Sequence, residues 1–140
     1  DDLEDTYRTR RAIVAALVGL AAARFTPTDA HEAGEALRAH EHALAAGKVE
    51  EARRAHTDFH FRIYQASGSR WLVRSAEPVW RNSERYRFTA PDNEITRDCS
   101  HEEHGEILAA CADGDVVRAR AAIERHLDAA LARIKTAMLL

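Results

Sequence analysis

Residues 49–69 read VEEARRAHTDFHFRIYQASGS. Ala52, Ala55, Phe59, Ile63 and Ala66 recur at three- and four-residue intervals, which places them on one face of an α-helix. Ser67-Gly68 then supplies a natural helix stop. The same face carries His56 and His60, four residues apart, so their side chains diverge by only about 40° around the helix axis. A buried helix that presents two imidazoles inward fixes the class of fold and raises the first question about function.

The pattern continues in both directions. Upstream, Gly47 ends a helix that opens at Thr26-Pro27-Thr28-Asp29, where Thr26 caps, Pro27 takes the first helical position and Asp29 completes a capping box. Before it, Leu3 to Phe25 forms one long helix, with Leu3, Tyr7, Ile13, Val14, Leu17, Leu20 and Ala21 predicted inward and Asp1, Asp2, Glu4 and Asp5 at its positive end. Downstream, Ser69 caps a helix from Arg70 to about Phe88, with bulk from Trp71, Leu72, Val79, Trp80 and Tyr86 and a kink expected near Glu77, ahead of Pro78. Thr89 to Cys99 reads as the longest loop, and Ser100-His101-Glu102-Glu103 as a capping box for a fifth helix that stops at Asp113-Gly114. Asp115 caps a sixth helix, which runs from Val116 to about Met138. The prediction is an all-α, antiparallel bundle of six to seven helices, folded as a single domain over residues 1–140.

Composition agrees and narrows the function. The 140 residues are 46% hydrophobic but only 6% aromatic, so the core is built from Ala, Leu, Ile and Val. A net charge of -3 excludes a broadly basic nucleic-acid surface. Ala12 to Ala23 is free of charge, yet it is too short to span a bilayer and lacks a signal-peptide context. Cys99 and Cys111 form neither a CxxC motif nor a disulfide framework, which fits a cytoplasmic protein. No phosphate-binding loop, GxSxG elbow or HExxH motif is present.

His104, one turn into the fifth helix, and His126, on the stripe of Ile123 and Ala130, both point toward the bundle interior. Four inward imidazoles suit Zn or Ni, for which neutral imidazole nitrogen is a favoured ligand. An alternative stands beside this: separately hydrogen-bonded core histidines, with His56 half exposed. His31, His40, His42 and His101 fall beside acidic residues and read as solvated surface. Arg10 leans inward on a helix whose next turns are apolar, and a buried guanidinium needs an anion. That anion is either a ligand carboxylate or a bundle acid such as Glu103 or Glu106. Trp71 and Trp80 read as packing residues.

Asp58-Phe59-His60 with Ile63 and Ala66-Ser67-Gly68-Ser69 resembles the FH...I...ASGN segment of the FadR C-terminal (FCD) domain, the effector-sensing half of FadR-subfamily GntR transcription regulators. Glu103-His104-Gly105-Glu106-Ile107-Leu108 before Gly114-Asp115 resembles the family's EHxxI(L)...GD segment. Arg125-His126-Leu127 resembles its HL motif, and Tyr7 with Arg10-Arg11-Ala12-Ile13 its opening YxxRxxLE. The resemblance runs from about Leu3 to Ile134 and implies a divalent metal ion, Zn or Ni, held by His56, His60, His104 and His126. His56 stands where the family usually has Asp or Asn. Asp58 is a poor substitute, since two helical residues rotate a side chain by about 200°. Val14 likewise replaces a usual Glu.

The resemblance further implies a small carboxylate effector bound with the help of Arg10, a homodimer, and DNA contact only through a winged helix-turn-helix domain that has no counterpart in these 140 residues. A regulatory, non-enzymatic role follows from it. The competing reading is a metal-dependent, hydrolase-like enzyme, with Glu103 or Glu106 as general base.

Overall fold

The computed structural model describes residues 1–87 and 94–139, with Glu94 to Cys99 described in the backbone alone. Six helices follow one another: α1 (Asp2–Arg24), α2 (Pro27–Ala45), α3 (Val49–Gln65), α4 (Arg70–Arg87), α5 (Glu94–Ala112) and α6 (Val116–Met138). No strand occurs among the described residues. Pairwise packing runs α3–α2–α5–α6–α1–α4, and α1 also touches α3 and α5, so it is the most central helix. That position explains its composition: Leu17, Val18 and Ala21 are completely buried, and no charged residue occurs between Ala12 and Ala23.

The local signals produce the predicted ends. The Asp1 side chain accepts from Glu4 N at 2.8 Å, the Thr26/Asp29 capping box is complete, and the Asp115 side chain accepts from Arg118 N at 3.1 Å. Ser69 receives Leu72 N on its hydroxyl at 3.4 Å and so opens α4. Gly68 turns the chain at φ 73°, and a Cβ there would lie 2.6 Å from Arg24 Nη1, which makes the short α3–α4 connection specific to glycine.

Four expectations need correction. α5 starts at Glu94, so Ser100 lies inside the helix and opens nothing; the rest of the predicted loop, Thr89 to Asn93, lies outside the described residues. Helical backbone through Glu94–Cys99 overrides the weak polar-loop signal of that stretch. Trp71 is 69% exposed and contributes no core bulk, whereas Trp80 is buried. The α4 face is set by Ala76, Trp80 and Ser83, and Trp71 falls off it. Leu20 is also exposed, because α6 meets α1 on the Gly19 side, where Arg120 lies against the glycine. Finally, His40 is buried, which bears directly on the site.

Candidate metal centre

α3 brings His56 and His60 to the core on the face that Phe59 and Ile63 bury, as the helical period requires. α5 delivers His104 to the same point across a sequence gap of more than forty residues. The three Nε2 atoms form a nearly equilateral triangle: 3.1 Å from His60 to His56, 3.2 Å from His60 to His104 and 3.3 Å from His56 to His104. All three rings are buried. Burial, followed by the charges around them, holds each imidazole well below its usual pKa, so at neutral pH the nitrogens are uncharged and able to ligate.

Such a triangle cannot be satisfied by hydrogen bonding alone. Each neutral Nε2 is either a donor or an acceptor, so of three mutually touching nitrogens two must share a role and one contact must be repulsive. A shared cation removes the conflict. With metal–nitrogen bonds of about 2.0–2.1 Å, two ligands subtend roughly 3.3–3.4 Å in a tetrahedron and roughly 2.8–3.0 Å in an octahedron. The observed separations fall between these values, and the three histidines form a group able to hold a metal ion.

His126 stands one ring farther out, with its centroid 4.7 Å from that of His104 and 5.6 Å from that of His60. Its Nδ1 lies 2.7 Å from Glu103 Oε1, and Arg133 Nη1 and Nη2 donate to the two oxygens of that carboxylate at 3.0 Å each. Burial opposes ionisation of Glu103, but the hydrogen bonds from His126 and Arg133 outweigh it and pull its pKa down to about 2. The carboxylate therefore fixes the His126 ring with Nε2 free of that contact, the arrangement usual behind a metal-ligating histidine.

Sequence reasoning placed His40 on the surface. It is instead buried on α2, with its Nδ1 2.9 Å from Ala52 O and its ring 5.0 Å from that of His56. The available signal was its place on the stripe Ala33, Leu37, His40 and Ala43, which the neighbouring acid Glu41 obscured. His31, His42 and His101 are exposed as expected, and His101 pairs with Glu41 at 2.6 Å.

Arg10 is buried, and neither Glu103 nor Glu106 reaches it. Glu103 pairs with His126 and Arg133, and Glu106 with Arg118. Arg10 Nη1 donates to Ser83 Oγ at 3.3 Å, and its Cζ lies 4.6 Å from the Trp80 ring centroid. Arg10 Nε is buried without a hydrogen-bond partner among the described residues, and the Tyr64 hydroxyl lies near the same guanidinium. Trp80 joins the two regions, since its ring centroid is 5.1 Å from that of His60 and 5.3 Å from that of His56.

The FCD domain family matches residues 5–129. Among solved structures, E. coli McbR/YncC superimposes with a TM-score of 0.85 at 24% identity, covering 96% of this chain. The chain corresponds to 64% of the length of that protein. No curated protein matches by sequence.

Proposed function

Because the chain belongs to the FCD family, the effector-sensing module of GntR-type transcription regulators, we propose that it senses a small carboxylate at a divalent metal, zinc or nickel, held by His56, His60 and His104 with His126 as a fourth nitrogen. It is a regulatory ligand-sensing domain rather than an enzyme, and DNA binding belongs to another domain. No described helix is long and apolar enough to cross a membrane.

The observation that carries the metal reading is the triangle of neutral, buried nitrogens, which pairwise hydrogen bonding leaves frustrated. When bound, the metal supplies a Lewis-acidic anchor for an anion, and neutral imidazoles leave its charge uncompensated. Arg10 supplies the second anchor. A guanidinium buried without a carboxylate among its described contacts, beside the Tyr64 hydroxyl, suits a ligand carboxylate taken up as a forked pair of hydrogen bonds. An effector reaching from the histidines to Arg10 would run along the Trp80 indole. Effector binding would then shift how two protomers of a homodimer present their DNA-binding domains.

Metal analysis of tag-free protein, followed by zinc and nickel titration and a thermal-shift screen of small organic acids, tests the reading. Bound metal and stabilisation by an acid are expected. Protein that is metal-free as purified and takes up neither ion would overturn it.

A further inference from the structure

Resting on the metal reading above, we propose that Arg87 is a second anion clamp, placed directly on the histidine triad, and that it couples anion binding to metal binding. Arg87 ends α4, and its Nη1 lies against the His56 ring, 2.5 Å from Nδ1. The same Nη1 stands 3.1 Å from His56 Nε2, the nitrogen that converges on His60 and His104. Among described carboxylates, Glu84 pairs with Arg87, at 3.4 Å. The Arg87 side chain is 39% exposed, so a cation rooted at the surface reaches over a buried cluster.

A guanidinium and a divalent cation beside the same imidazole repel one another. The ligands do not relieve this, because all are neutral. An anion between the two cations reverses the balance. One carboxylate oxygen takes an open coordination position while the other accepts from the Arg87 fork, and Glu84, one turn back, steadies the arginine. Metal and carboxylate then each raise the affinity for the other by the same factor, as linkage requires, and Arg87 enlarges that factor. Arg10 has no such contact with the triad. It anchors the effector from beyond Trp80, and its removal weakens the acid without making zinc binding independent of it.

The test is competitive zinc titration against a chromophoric chelator, using tag-free full chain with and without excess succinate or acetate, corrected for each acid's own weak hold on zinc. Wild type is expected to bind zinc at least about fivefold more tightly with one of the acids, the lower end of ordinary coupling. Arg87→Ala should bind zinc more tightly than wild type without acid and show a smaller acid effect than wild type, and Arg87→Lys should fall between them. Circular dichroism checks that both variants keep the helical fold. An acid effect in Arg87→Ala equal to that of wild type, or none in wild type with either acid, overturns the proposal while leaving the metal site standing. Failure of both proteins to bind zinc overturns the metal reading and this inference together.

Discussion

Glu103 holds His126 through a 2.7 Å contact between Oε1 and Nδ1, while Arg133 closes on the same carboxylate from the other side. The pair makes the role of His126 measurable separately from that of the triad. Glu103→Gln keeps the size of the side chain but removes the charge that orients the ring. If His126 ligates, zinc affinity should fall about 10–100-fold, the usual cost of losing an outer partner of a metal-bound histidine. An unchanged zinc affinity with only a lowered melting temperature would place His126 outside the ligand set.

His60 makes the two shortest contacts of the triangle and His104 closes it from α5, so either substitution to Ala should cost more than that outer-partner effect and abolish zinc-dependent stabilisation. Thermal melts with and without zinc provide the readout. A variant that still gains as much melting temperature from zinc as wild type would reduce its histidine to a core residue.

Arg10→Ala should weaken the best stabilising acid by at least roughly tenfold, because each charge-assisted hydrogen bond contributes about 1.5–3 kcal/mol. Arg10→Lys should recover only part, since an ammonium keeps the charge but lacks the planar fork. Calorimetric titration of the three proteins decides it. Equal affinities would remove Arg10 from the effector site.

Cys111 is fully buried on α5, and burial pushes its thiol pKa up to about 12 from 9.0. The folded state thus disfavours the thiolate. Its contribution to stability is complete below pH 9 and should be lost as pH climbs toward 12, and Cys111→Ser should flatten that alkaline limb of the stability curve. At neutral pH, iodoacetamide should leave Cys111 unmodified in folded protein and alkylate it rapidly in denaturant, as peptide mass spectrometry would show.

The indole of Trp80 touches His56 and His60, whereas Trp71 is exposed and remote from the core. In a Trp71→Phe background, nickel should quench the remaining tryptophan emission in step with binding. Saturable nickel binding with unaltered emission would place the ion away from the triad.

The helices were legible because their information is local. Thr26-Pro27-Thr28-Asp29, the stop at Ser67-Gly68 and the cap at Asp115 act within one turn of themselves, so they operate before any tertiary contact forms. Helical period likewise placed His56 and His60 on one inward face, and the apolar stripes beside His104 and His126 pointed those residues the same way. The α5 start was misread because Glu94 to Cys99 combines polar residues of modest helix propensity, which a turn and a helix accommodate about equally in isolation.

The sequence by itself therefore determined a helical bundle, most of its inward faces and four of the five imidazoles buried in the core. Tertiary packing alone decided which imidazoles meet. The 3.1–3.3 Å triangle depends on how α3 and α5 are each set against α1 and α2, a register that no helical period encodes. It also decided that Arg10 faces Ser83 and Trp80 instead of a bundle acid, that His40 joins the cluster, and that Arg87 reaches His56 from the end of α4. Side-chain periodicity states which way a residue points from its own helix, whereas its partner is set by the packing of helices far apart in the chain.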